Sequence, residues 1–210
     1  MTMKSPFFAA ALVAASVVSS AALAAMQTTA LTDLNIRSGP GPEYPVIGLI
    51  KAQEPVTMIG CIEGSLWCQI THRGRDGWAY SQYLATQSAG NRVIISERRP
   101  DVVVPTVTYS TTSGAAPHRG VVSGAIVASP TVIDPAQQVM IDPPPQVRTY
   151  VVGNPVDPVY LQGEVVVGAG LPETVQLRPV PDYGTYRYVY VNGQPVLVDP
   201  ASRRIVYVYR

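Results

Sequence analysis

The sequence predicts a mostly β protein, organised as a small barrel, a Pro/Val-rich linker and a C-terminal β-meander. Three observations lead there. Short runs of strand-forming residues recur between positions 34 and 80, each closed by turn chemistry, as in a small barrel. Composition shifts at Gln87-Ser88-Ala89-Gly90 toward Val, Thr, Ser, Pro and Gly, and the chain as a whole carries 20 prolines and 17 glycines. Finally, Tyr186 to Val191 alternates with period two and runs into Asn192-Gly193, the strongest short hairpin signal.

Residues 1–24 read as a secretory signal peptide. Lys4 supplies the positive start, Phe7 to Val18 the apolar core, and Ala22-Leu23-Ala24 a small-x-small cleavage site. The uninterrupted apolar run falls short of the roughly 20 residues that span a bilayer, so no retained membrane span is expected. No cysteine stands at the processing site, which argues against a lipid anchor. The expected location is periplasmic or secreted.

The barrel is expected over 28–87. Its strand-like runs are Leu34-Asn35-Ile36, Val46 to Ile50, Val56 to Ile62, Trp67 to Thr71 and Gly77 to Tyr80. Pro40, Pro42 and Pro45 exclude helix from the first loop, and Gly39 and Gly41 permit its tight path. Gly74-Arg75-Asp76-Gly77 signals a hairpin before Trp78, and Ser81-Gln82-Tyr83-Leu84 a final helical turn. Cys61 and Cys68 are the only cysteines. In an exported protein such a close pair reads as a disulfide. A two-residue turn at Gly64-Ser65 places the two opposite each other, about 4.5–5.5 Å apart at Cα. Closing so short a loop contributes about 2.5 kcal/mol in the chain-entropy account. The alternative is a pair of reduced structural thiols.

Leu34, Asn35, Arg37, Gly39, Pro40, Tyr44, Val46, Ile47 and Gly48 form an ordered series. With Gly60, Trp67, Gly77-Trp78 and Tyr83-Leu84, they make the segment resemble bacterial SH3-like domains. Lys51 to Pro55 departs from that pattern, which usually has a turn glycine there. The resemblance implies binding to peptidoglycan, its peptide stems or protein segments. Tyr44, Trp67, Tyr80 and Tyr83, with Arg37, are the ligand-binding candidates, because aromatic faces stack on sugars and peptides while their polar tips tolerate water. Each has a structural reading beside it. Trp78 and Leu84 read as core, Tyr44 and Tyr83 fit either role, and Arg37 could brace the loop carbonyls or clamp a ligand carboxylate.

Residues 88–148 read as a linker, partly disordered, with local β character at Val102-Val103-Val104 and Gly120 to Ala128. Arg98-Arg99-Pro100 and Asp142-Pro143-Pro144-Pro145 read as breakers of regular structure. The C-terminal module, 149–210, is expected to be a meander. Its strands are Tyr186 to Val191, Val196-Leu197-Val198 and Arg204 to Tyr209, with Val189 facing Val196 and Tyr188 facing Leu197. Val159 to Val167 could add a strand, and Leu177 to Asp182 reads as an extended lead-in. The row Tyr186, Tyr188, Tyr190 with Tyr207 and Tyr209 is either a binding stripe or packing over a neighbouring segment. Asn154-Pro155-Val156, Gly163 to Gly168, Arg178-Pro179-Val180-Pro181, Val191-Asn192-Gly193 and Val196 to Pro200 resemble an uncharacterised domain family of exported bacterial proteins.

Net charge is +1, without the concentrated positive surface that phosphate backbones require, so nucleic acid is not an expected partner. Two cysteines and two distant histidines do not match zinc spacing, and no metal or cofactor is expected. No G-x-S-x-G or H-E-x-x-H occurs. The expected function is a non-catalytic binding module of the cell envelope, docking on peptidoglycan or peptide segments. The alternative is a protein–protein interaction or scaffold protein without cell-wall binding.

Overall fold

The structure is a computed structural model that describes residues 25–96, 102–109, 122–126 and 141–210. The expected signal peptide, residues 1–24, and much of the expected linker lie outside these residues.

Eight strands make the barrel sheet: β1 (Met26–Ala30), β2 (Leu34–Arg37), β3 (Val46–Ile50), β4 (Pro55–Cys61), β5 (Trp67–His72), β6 (Arg75–Tyr80), β7 (Leu84–Ser88) and β8 (Asn91–Ile94). Their order is β3-β2-β6-β5-β4-β1-β7-β8. The expected final turn is a 3-10 turn at Ser81–Tyr83. The β5–β6 hairpin pairs His72 with Arg75. Its turn is therefore Arg73-Gly74, both left-handed (φ 50° and 75°), not the four residues from Gly74 to Gly77. Arg75 and Asp76 belong to the strand, paired with His72 and Thr71. In the loop that lacks the usual glycine, Gln53 takes the left-handed conformation itself (φ 64°). Its backbone N–H donates to Ala30 O at 2.8 Å, a tertiary bond that holds the strained residue in place.

Cys61 and Cys68 are register partners and form a disulfide with Cα atoms 3.9 Å apart. The intervening turn differs from the sequence expectation. Ser65 N–H donates to Ile62 O at 3.1 Å, so Gly64 (φ 70°) is the third residue of the turn. Ser65 and Leu66 then lead back into β5, and the cysteine register survives the shift.

Beyond the barrel lie β9 (Val122–Ala125), α1 (Pro145–Gly153), β10 (Tyr160–Gln162), β11 (Arg178–Pro179), β12 (Arg187–Val191), β13 (Gln194–Val198) and β14 (Ile205–Val208). Strands β11 to β14 form an antiparallel meander in chain order. Tyr188 pairs with Leu197 and Val189 with Val196, the register the Asn192-Gly193 turn dictates. Strand β10 pairs in parallel with β9, outside the meander.

Helix α1 starts where prolines suggested a break. Pro145 sits in its first turn, where its missing N–H costs nothing. Val147 and Val151, four apart, are fully buried with Val180, Tyr188 and Leu197. Tyr188 and Tyr190 donate their hydroxyls to Asn154 O (3.0 Å) and Val151 O (3.2 Å) at the end of the helix. These two members of the tyrosine row thus satisfy carbonyls that a helix terminus leaves open.

One apolar cluster runs through both halves of the chain. It includes Leu34, Ile50, Met58, Ile70 and Leu84 of the barrel with Val165, Val166, Val189, Val196 and Ile205 from the C-terminal part. The barrel and the meander share a core.

Candidate functional site on the aromatic face of the barrel

Arg37 ends β2 and is 1% exposed. Its Nη1 donates to Pro42 O (3.0 Å) and Tyr44 O (2.7 Å), bracing the Gly/Pro loop. Its other edge meets Glu164 in a two-pronged pair, Nε to Oε2 at 2.5 Å and Nη2 to Oε1 at 2.7 Å. Arg37 thus braces the loop, and the carboxylate it pairs with is that of Glu164 in its own chain, not a ligand's. Asn35 Nδ2 donates to Glu164 Oε1 (2.9 Å) and to Gln194 Oε1 (2.8 Å), and Val165 N–H reaches Glu164 Oε1 at 2.8 Å. The carboxylate and the guanidinium thus have partners, the condition under which a buried ion pair is tolerated. Asn35 Oδ1, by contrast, is buried with no hydrogen-bond partner among the described residues. A second tie lies at the surface, where Arg210 donates to the Asp33 carbonyl (2.9 Å) and stands 3.3 Å from its carboxylate. Burial draws the Asp33 pKa up, but the Lys51 hydrogen bond and the other contacts outweigh it, and the net shift is downward.

The aromatic candidates fall into two groups around this anchor. Trp67, Tyr80 and Tyr83 form a chain, with ring centroids 5.2 Å apart for Trp67 and Tyr80 and 6.3 Å for Tyr80 and Tyr83. Trp67 and Tyr83 are buried and Tyr80 is half-buried. The loop carrying Glu164 lies against them, with Gly163 beside the Tyr80 ring. Burial, followed by the Glu164 carboxylate, pushes the pKa of both Tyr80 and Tyr83 up.

Tyr44 and Trp78 form the other group, and another part of the chain lies on them. Tyr109 packs edge-on against both, at 5.9 Å from Tyr44 and 5.3 Å from Trp78. Burial and a hydrogen bond to Tyr109 raise the Tyr44 pKa to about 12. The segment that carries Tyr109 arrives as an added strand. Strand β1 covers β4 only as far as Met58, leaving the backbone at Cys61 open on that side. Cys61 N–H donates to Pro105 O at 2.8 Å, and Val107 N–H donates to Cys61 O at 3.0 Å, a parallel bridge centred on Thr106. Gly60 makes room for it, since a Cβ there would lie 2.6 Å from Pro105 O and 2.8 Å from Val107 Cγ1.

Residues 32–85, which hold the Gly/Pro loop braced by Arg37 and the aromatic face, match the bacterial SH3 domain. The chain carries a bacterial SH3 domain. Residues 150–210 match a domain of unknown function, DUF1236. No curated protein matches the chain. The aromatic face described above is therefore that of the SH3 domain, and Glu164 and Gln194 reach its Asn35–Arg37 strand from the DUF1236 domain.

Sequence reasoning did not find Glu164, Gln194 or Tyr109 as parts of this site. Two signals were available: a single acid within Gly163-Glu164-Val165-Val166-Val167, and a single aromatic closing the Val/Thr alternation from Val104 to Tyr109. A separate open cleft of about 660 Å³ on the SH3 domain is lined by Gln27, Thr29, Gln53, Thr86, Gln87 and Arg92 among others, with no aromatic ring. His72 is buried beside Glu54, Nε2 to Oε2 at 3.3 Å, and both cysteines are committed to the disulfide. Among the described residues, no group of three or more His, Cys, Asp or Glu is placed to hold a metal ion. No described helix is long and apolar enough to cross a membrane.

Proposed function

We propose that this is a non-catalytic binding protein of the cell envelope, exported by its N-terminal signal peptide, whose SH3 domain docks on extended peptide segments of peptidoglycan stems or envelope proteins. The observation that carries the reading is the seating of Pro105 to Tyr109 on the SH3 domain. Hydrogen bonds from the Cys61 N–H and to the Cys61 carbonyl, with a ring held between Tyr44 and Trp78, are the means by which a sheet edge recognises an extended chain. An extracytoplasmic location is supported by the disulfide, since such bonds persist in oxidising compartments. A non-catalytic role is supported by the engagement of both thiols, which removes the thiolate that cysteine hydrolases need.

Two arms of one experiment test it. The mature protein is expected to sediment with insoluble peptidoglycan, and Tyr44→Ala, with an unchanged far-UV circular dichroism spectrum, to reduce that retention by at least about tenfold. Retention no greater than that of an unrelated exported protein would remove the cell-wall target. Crosslinking in intact cells is the second arm. A discrete protein adduct there would place the docking segment on another envelope protein.

A further inference from the structure

The segment on the aromatic face specifies more than a general taste for peptides. Pro105, Val107 and Tyr109 alternate with Thr106 and Thr108, and the two threonines are exposed while the other three are half-buried. Pro105 offers its carbonyl to Cys61 N–H, a role that needs no N–H of its own. Val107 lies over the bare backbone of Gly60. Tyr109 fills the space between Tyr44 and Trp78 with two edge-on ring contacts. Upstream, Val102 is buried in the shared apolar cluster and Val104 packs against it, while Val103 between them is 89% exposed.

We infer that the cleft formed by Gly60, Cys61, Tyr44 and Trp78 is a site for extended peptides of the pattern Pro-x-Val-x-Tyr, in which residues 105–109 act as a resident competitor for the same pattern on a partner protein. The inference rests on the reading of the SH3 domain as a peptide-docking module and names the peptide it takes. The contacts just described come from features that an incoming strand of the same pattern would repeat. These are one carbonyl, one N–H, a β-branched side chain over a glycine, and a phenol ring. A tethered segment competes at an effective concentration in the mM range. Partner peptides therefore bind weakly until the resident strand is weakened.

The test uses the mature protein and a fluorescent Val-Pro-Thr-Val-Thr-Tyr peptide, with a scrambled peptide as control. Tyr109→Ala removes the resident ring and leaves the walls intact. It is expected to bind the peptide at least about tenfold more tightly than the unsubstituted protein. Gly60→Ala occupies the space of the docked strand, and Gly60 lies in β4 without a positive φ, so alanine suits its backbone. The double variant Gly60→Ala/Tyr109→Ala is expected to lose that binding while keeping its thermal transition. Binding in Tyr109→Ala no better than to the scrambled peptide would overturn the inference, as would binding that Gly60→Ala leaves untouched. Peptide-independent dimers of Tyr109→Ala would also overturn it, giving the cleft to a second copy of the chain. If the protein sediments with peptidoglycan yet ignores the peptide, the motif is wrong and the docking function stands. If it does neither and yields no adduct in cells, both are wrong.

Discussion

Replacing Glu164 by glutamine is expected to lower stability by about 3–5 kcal/mol, the usual cost of removing one partner from a buried ion pair. The side chains of Arg37 and Glu164 are 1% and 0% exposed, so water cannot compensate the guanidinium left behind. The loss also reaches Asn35 and the Val165 amide, which donate to the same carboxylate. For a chain of this size the change corresponds to roughly 6–20 °C in the melting temperature. Arg37→Met should cost a similar amount, because Pro42 O and Tyr44 O lose their donor as well. The double variant should cost clearly less than the two single changes summed, since it leaves no buried charge unpaired. Chemical denaturation of the four proteins measures this. A loss below about 1 kcal/mol for Glu164→Gln would mean that the pair is open to solvent.

Replacing both cysteines by alanine is expected to lower stability by about 2.5 kcal/mol, the chain-entropy contribution of an eight-residue loop. A second consequence distinguishes this bridge from a simple staple. The backbone of Cys61 holds Pro105 and Val107, so freeing the end of β4 should loosen the segment on the aromatic face. Thermal melts with and without reductant give the first effect. Tyr109 ring signals in a nuclear magnetic resonance spectrum, broadening on reduction, give the second. Equal melting temperatures in both states would contradict the assignment of a structural bridge.

The parts of the fold that depend on neighbours in sequence were legible. Asn192-Gly193 with alternating flanks determines which residues face each other across β12 and β13, and the spacing of Cys61 and Cys68 determines their pairing. Turn positions were read less well. Both Gly64 and Gly74 carry positive φ as a turn requires, yet Gly64 sits one place and Gly74 two places later in its turn than the flanking sequence suggested. Helix α1 was hidden because Pro143-Pro144-Pro145 reads as a breaker, although a proline in the first turn is compatible with a helix. The Val147/Val151 spacing was its only signal. The candidate site was legible as a set of residue types but not as an arrangement. Arg37 lies 127 positions from Glu164, and no local pattern reveals that the acid answering the arginine belongs to the same chain. Nor does composition show that Tyr109, in a stretch that reads as linker, would occupy the face formed by Tyr44 and Trp78.

The central claim is that the SH3 domain grips an extended strand of its own chain, and amide hydrogen exchange at single-residue resolution tests it most directly. The Val107 amide is expected to exchange far more slowly than those of exposed Thr106 and Thr108, and Gly60→Ala should abolish its protection while leaving β5 and β6 protected. A Val107 amide that exchanges as fast as its exposed neighbours in the unsubstituted protein would contradict the account.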